Sequence, residues 1–235
     1  MTEGASTTKR HSGAMEFLGM EGFSLFFCWM LLSFYWLFAE FFADMPAAAR
    51  DGVQLFVFGG ITLGYALLHF VGRHPAFDPF SKPLVAAVAA GTIMLPAASF
   101  AAHLGFDVPL PLLSAAALCA GLAGSMLTVS WLDVASRIRL RGYGRFTSLS
   151  LLGGSVLFVL VALMPPVVQP ALAAIAALVS VSLLAFTSAR GNALFDFDEN
   201  SESERPWKFE REIEPSLFAF GIAFALTFEI GRAHV

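Results

Sequence analysis

Long apolar runs separated by short polar turns dominate the chain. A helix of about 20 apolar residues crosses the ~30 Å hydrocarbon core of a bilayer. Six runs reach that length, at residues 23–43, 53–71, 83–102, 110–132, 146–164 and 170–188, and a seventh begins at Pro215 and reaches Phe228. The runs stop at residues that end helices, such as Met45-Pro46 and Pro165-Pro166. The pattern predicts an all-α integral membrane protein, a six-helix transmembrane bundle followed by the start of a seventh helix.

The same pattern divides the chain into segments. Residues 1–22 form a polar leader, 23–188 the bundle, 189–214 a charged connection and 215–228 the beginning of the seventh helix. High charge density and low hydrophobicity predict that the connection is a mobile cytoplasmic hinge. Residues 229–235 have the sequence that a sequencing-library adapter encodes when it is translated in frame. We therefore expect this tail to be an artefact and the native chain to continue beyond Phe228.

Basic residues collect on alternate sides of the predicted spans. Outside the last seven residues, twelve of thirteen Lys and Arg lie in the leader and in the second, fourth and sixth connections, whereas the odd-numbered connections hold only Arg50. Cytoplasmic loops retain the excess of positive charge. We expect a multi-pass protein of the inner (cytoplasmic) membrane, with its N-terminus and its hinge in the cytoplasm.

The composition and charge of the chain exclude several classes of function. The chain is 57% hydrophobic and 14% charged, whereas soluble domains are about 45–50% apolar and about 25% charged. A net charge of -4 without a basic tract argues against direct nucleic-acid binding by this stretch. No nucleophile and base pair, metal-ligand spacing or phosphate-binding glycine loop is present, so neither an enzyme nor a bound metal or cofactor is expected. The expected partners are the lipid bilayer and a small-molecule ligand, and no feature predicts an oligomeric state.

Two helical stripes of amphipathic residues are candidates for a ligand cavity. Residues at intervals of three or four share one face of a helix. The stripes consist of Trp29, Ser33 and Trp36 on the first span, and Thr62, Tyr65 and His69 on the second. Facing inward, they would offer stacking surfaces and a few hydrogen-bonding groups. Interfacial aromatic belts and interhelical hydrogen bonds are the alternative explanation of the same residues.

Small residues spaced four apart mark faces where helices approach each other. In lipid, such residues let two backbones come close. They are Gly60 and Gly64 on the second span, Gly121 and Ser125 on the fourth, and Ser150 and Gly154 on the fifth. We interpret these faces as helix contacts, with a hinge role for the glycines as the alternative. No ionisable residue falls near the middle of any span, so this stretch lacks an obvious proton relay.

Six spans, a hydrophilic hinge and a restart at Pro215 resemble half of a major facilitator superfamily transporter. The loop at 72–83, however, lacks the Gly-x-x-x-Asp-Arg-x-Gly-Arg-Arg turn of that superfamily, and the fourth span has no arginine at mid-membrane. One interpretation is a facilitator-type secondary transporter of a small uncharged or amphiphilic substrate.

The chain more closely resembles the membrane-bound LuxR-type transcriptional regulators. The aromatic first span at 26–30, the arginine-rich turn at 137–142 and the restart at 218–224 carry this resemblance. Regulators of this kind join a facilitator-like N-terminal half to a C-terminal helix-turn-helix domain. The resemblance implies a sensor whose ligand shifts the output domain between two states, with the DNA-binding domain beyond Phe228.

Overall fold

The computed structural model describes residues 3–36, 45–72, 80–136 and 140–194, and the side chains of 17–34, 45–72, 80–135 and 146–187. The chain divides into two units, Met1–Ala66 with Pro79–Ser201, and Leu67–Asp78 with Glu202–Val235. Only residues 67–72 of the second unit are described. The predicted seventh helix, the adapter-like tail and the predicted hinge beyond Leu194 lie outside the described residues.

All regular secondary structure in these ranges is helical. The helices are α1 (Glu3–Leu31), continued by a π-helix (Leu32–Trp36), α2 (Ala47–Val71), α3 (Lys82–His103), α4 (Leu110–Ser136), α5 (Leu140–Ala162) and α6 (Gln169–Leu194). Their bounds differ from the apolar runs mainly at polar ends, since α1 begins within the leader and α6 continues to Leu194. Hydropathy locates the part of a helix that lipid solvates, whereas backbone hydrogen bonding extends past it.

Among the described residues, five helices are long and apolar enough to cross a membrane. The qualifying segments are Phe17–Phe34, Ala47–Val71, Lys82–His103, Leu110–Ala135 and Gln169–Thr187. The apolar part of α5, Phe146–Ala162, is shorter. The protein is therefore an all-α, multi-pass membrane protein, and the sequence prediction is confirmed at this level.

The surface and the interior have the distribution expected in lipid. Large exposed side chains include Leu55, Phe70, Leu152 and Leu163, whereas the buried side of α3 is formed by Gly91, Thr92, Leu95, Pro96 and Ser99. Hydroxyl groups mostly donate to a carbonyl oxygen of their own helix, as Ser99 does to Leu95 at 3.0 Å. Such bonds satisfy polar groups where no water is available.

Helix packing in the first unit has an internal two-fold pattern. The most extensive contacts of α1 are with α5 and α6, those of α4 are with α3, and the glycine face of α2 lies against α4. The helices α3 and α6 also pack on each other. Exchanging α1 with α4, α2 with α5 and α3 with α6 leaves these main neighbours unchanged, and the smaller contacts of α4 with α5 and of α5 with α6 lie outside this set. Three consecutive helices are thus arranged like the three that follow them.

The directions of the helices agree with alternating passes through a membrane. Along α5, Phe146 lies at the level of Gly19 and Gly154 at the level of Phe27, so α1 and α5 run parallel. The helices α1 and α4 run antiparallel, as the contacts described below show. The connections at 104–109 and 163–168 therefore lie at the same end of the bundle.

Candidate functional site

A cluster of six buried aromatic rings fills the crossing of α1 and α4. This aromatic cluster consists of Phe23, Phe26, Trp29, Phe34, Trp131 and Phe146. Phe23 is its centre, with ring centroids 6.0 Å from Phe26, 6.1 Å from Trp131 and 6.1 Å from Phe146. These separations lie in the range of favourable aromatic pairs. The crossing is consequently a packed core that joins α1, α4 and α5.

The two tryptophans of the aromatic cluster make reciprocal contacts with glycines. The Trp131 indole lies directly over Gly22, where an added methyl group would meet the ring. A methyl group on Gly124 would lie 3.5 Å from the Trp29 indole and 3.2 Å from the Phe34 ring. On each helix, glycine and tryptophan are seven residues apart, about 10.5 Å along the axis. The pairs therefore match in antiparallel orientation. Trp131 requires a glycine at position 22, whereas Trp29 lies at ordinary van der Waals distance from the position of a methyl group on Gly124.

Each indole N–H also donates a buried hydrogen bond to a third helix. Trp29 Nε1 donates to the Thr92 carbonyl oxygen of α3 at 3.1 Å. Trp131 Nε1 donates to Ser180 Oγ of α6 at 3.1 Å, and Ser180 Oγ in turn donates to the Gly22 carbonyl oxygen at 2.7 Å. These bonds connect all four of the helices α1, α3, α4 and α6. They repeat the two-fold pattern, because α1 bonds to α3 as α4 bonds to α6.

The residues predicted to line a ligand cavity occupy different environments. Trp29 and Ser33 are fully buried, and Thr62 is exposed, with its hydroxyl donating to the Phe58 carbonyl at 2.9 Å. The Tyr65 hydroxyl hydrogen-bonds to the Thr128 side chain. The structure thus brings Tyr65 to α4, whereas Trp29 reaches α3.

The other two residues of the predicted stripes are His69 and Trp36. His69 belongs to the second unit, where its ring meets the ring of Phe70 edge-on at 5.2 Å. The side chain of Trp36 lies outside the described residues. A ligand cavity formed by both stripes remains a prediction.

The glycine face of α2 lies against α4. A methyl group on Gly60 would be 3.1 Å from Gly121 Cα, 3.0 Å from the Leu122 nitrogen and closer still to a carbonyl oxygen of α4. Gly64 sits against the Ser125 side chain. The neighbours of Gly60 are main-chain atoms, so no flexible side chain could move aside there, whereas the nearest neighbour of Gly64 is the Ser125 side chain.

The helix α5, which corresponds to α2 in the two-fold pattern, approaches α1 in the same way. A methyl group on Gly154 would be 2.6 Å from the Ser24 carbonyl oxygen and 3.0 Å from Phe27 Cβ. The helices α2 and α5 are therefore each held at main-chain distance, the first by α4 and the second by α1.

The buried interior carries hydroxyls and amides but no charge. Among the described residues, the buried polar side chains are all Ser, Thr or Gln. Two of them, Ser33 and Ser150, have a buried hydroxyl without a hydrogen-bond partner. Ser33 lies in the π-helix that continues α1, and π-helical turns occur frequently at functional sites. Within the described ranges, no group of three His, Cys, Asp or Glu residues is arranged to hold a metal ion.

Sequence reasoning missed Trp131, Ser180 and the glycines that face the tryptophans. A signal was nevertheless present, because Gly22-x-x-Leu25-x-x-Cys28-Trp29 in α1 has the same pattern as Gly124-x-x-Leu127-x-x-Ser130-Trp131 in α4. An internal comparison of the two segments would have paired the tryptophans. The polar partners on α3 and α6 have no comparable sequence signature.

Comparison with known proteins returned no relative. No protein-family model, curated protein or solved structure matches this chain.

Proposed function

We propose that this chain is the facilitator-like sensing half of a membrane-bound LuxR-type transcriptional regulator. The two-fold exchange of helix neighbours supports the facilitator-like part, because halves of that superfamily consist of two inverted three-helix repeats. The resemblance of the first span and of the arginine-rich turn supports the regulator part. The asymmetry of Lys and Arg supports an inner-membrane location with a cytoplasmic N-terminus.

The observation that carries the sensing role is the filled, uncharged interior. Active transport uses a path through the bundle and ionisable groups that couple it to an ion gradient. Here the aromatic cluster occupies the crossing of α1 and α4, and the buried polar groups of the described residues are neutral. A sensor needs neither feature. It needs two arrangements of the bundle that a ligand binds with different affinities.

The chemistry of the interior defines the proposed ligand. Aromatic faces and hydroxyl groups suit a small uncharged or amphiphilic molecule, since a charged one would have no buried counter-ion. Binding of such a ligand would favour one packing of the bundle, and the output domain would respond to that packing. The DNA contacts belong to that output domain and not to these helices.

A secondary transporter is the second candidate. The observation that favours it is the same two-fold repeat, which is typical of transporter folds. With no buried charge among the described residues, its substrate would again be uncharged or amphiphilic.

Two experiments distinguish the candidates. The gene sequence downstream of the Phe228 codon should encode a second set of about six spans and then a basic domain of roughly 60 residues with a recognition helix. A stop codon shortly after the twelfth span would instead support the transporter. Transcript profiling of a strain that lacks the gene should show a defined set of altered transcripts, restored by the complete gene. Unchanged transcripts together with altered uptake or efflux would contradict the regulator.

A further inference from the structure

The carbonyl oxygen of Thr92 has lost its helical hydrogen-bond donor. In an α-helix this oxygen accepts from the N–H four residues later. That position in α3 is Pro96, which has no N–H. Both residues belong to the buried side of α3. A carbonyl oxygen in this position has no water to bond with, so it requires a donor from elsewhere in the bundle.

Trp29 of α1 provides that donor. Its indole nitrogen lies 3.1 Å from the Thr92 oxygen, and the whole side chain is buried. We propose that Trp29 and Pro96 form a latch, in which the indole N–H replaces the amide that proline removes. While the indole is docked, α3 is held as one helix. When it withdraws, α3 bends at Pro96.

The contacts of α3 indicate which part of the helix moves. A methyl group on Gly91 would be 2.8 Å from Ala123 Cβ and 3.1 Å from the Cys119 carbonyl oxygen, so α3 is closely packed on α4 just before the latch. Beyond Pro96, four of the seven residues up to His103 are alanines, and Ser99 is the one buried residue of this stretch. Opening of the latch would therefore swing the C-terminal end of α3 and the connection to α4, while the first half stays on α4.

The other tryptophan provides a built-in comparison. Trp131 donates to a side chain, Ser180 Oγ, and the only proline of α6 is Pro170 at its second position. The hydrogen-bond ladder of α6 is thus intact at the point where the indole binds. Trp29 therefore forms a latch on α3, whereas Trp131 forms an ordinary interhelical hydrogen bond with α6.

A double-mutant experiment on the full chain in detergent micelles tests the latch. Trp29→Phe keeps an aromatic ring and removes the donor, whereas Pro96→Ala restores the helical amide. Hydrogen exchange of residues 93–103 should rise by about threefold or more in Trp29→Phe, the factor expected for an average hydrogen bond between membrane helices. In the Pro96→Ala background the same tryptophan change should raise exchange by less than half of that factor. Equal increases in both backgrounds, or none in the native background, would overturn the latch.

Two further measurements distinguish opening of the latch from misfolding of a variant. Trp131→Phe is the matched control, and it should leave the exchange of residues 93–103 unchanged; a rise as large as that in Trp29→Phe would show a general packing effect and reject the latch. Pro96→Ala alone should shift the Trp29 indole N–H resonance upfield, because the restored amide competes for the Thr92 oxygen. The Trp131 resonance should stay in place. An unmoved Trp29 resonance would contradict the proposal.

Discussion

Replacing Gly60 by alanine tests the close approach of α2 and α4. The added methyl group would lie 3.0 Å from the Leu122 nitrogen and closer to a carbonyl oxygen of α4. Real Cβ atoms essentially never approach other atoms this closely, and the neighbours are main chain. The two helices must therefore separate, which forfeits dispersion contacts along the whole crossing.

Gly59 is a matched control on the same helix. It precedes Gly60, is exposed, and has no atom within 4 Å of the position of an added Cβ. Both substitutions gain the same helix propensity, roughly 1 kcal/mol for alanine over glycine. Overpacking costs about 1–3 kcal/mol and applies to Gly60 alone. The free energy of unfolding of Gly60→Ala should thus be about 1–3 kcal/mol below that of Gly59→Ala.

The comparison is best made by denaturant unfolding in detergent micelles, followed by tryptophan fluorescence and circular dichroism. Using the difference between two variants removes the shared effect of helix propensity and of the micelle. If Gly60→Ala is as stable as Gly59→Ala, α2 does not approach α4 at main-chain distance. The contact between α2 and α4 would then no longer support the two-fold packing pattern.

Three further substitutions test individual buried polar groups. Gln169 Nε2 donates to the carbonyl oxygens of Ala162 at 3.2 Å and Met164 at 2.9 Å, so Gln169→Ala should lower the unfolding free energy by about 1–3 kcal/mol and increase proteolysis in the connection between α5 and α6. Ser180→Ala should cost about 1–3 kcal/mol in the same unfolding assay, because it leaves a buried indole N–H without an acceptor. Ser150→Ala should leave the unfolding free energy unchanged or raise it, because the substitution removes a buried hydroxyl that has no hydrogen-bond partner; a large loss would reveal a partner that forms in the membrane.

The apolar runs determine most of this fold, and the reason is physical. Lipid forces every spanning backbone segment to satisfy its own hydrogen bonds, so a run of sufficient length has few alternatives to a helix. The position of α3 was therefore predictable to within one residue at each end, whereas α2 begins six residues before its apolar run and α6 ends six residues after its own. The ends were less predictable, because α1 extends through a polar leader whose helix is not set by hydropathy.

Contacts between residues far apart in the chain could not be predicted from the sequence. The face of α2 that carries Gly60 follows from helical spacing, but nothing local indicates that its neighbour is α4. The bond from Ser180 to Gly22 joins residues 158 positions apart. Its existence depends on how three helices cross. Likewise, Pro96 marks a gap in α3, yet only the packing of α1 reveals that Trp29 fills it.

The most direct test of the threaded bundle is cysteine labelling in intact cells. In a variant without Cys28 and Cys119, single cysteines at Leu104 and Val167 should both react with a membrane-impermeant maleimide, because both connections lie at the same end of the bundle and the asymmetry of Lys and Arg predicts that this end faces outward. A cysteine at Ser81, at the other end of the roughly 33 Å long α3, should react only after permeabilisation. Labelling of Leu104 and Val167 from opposite sides, or of all three positions in intact cells, would contradict a bundle that crosses the membrane at each helix.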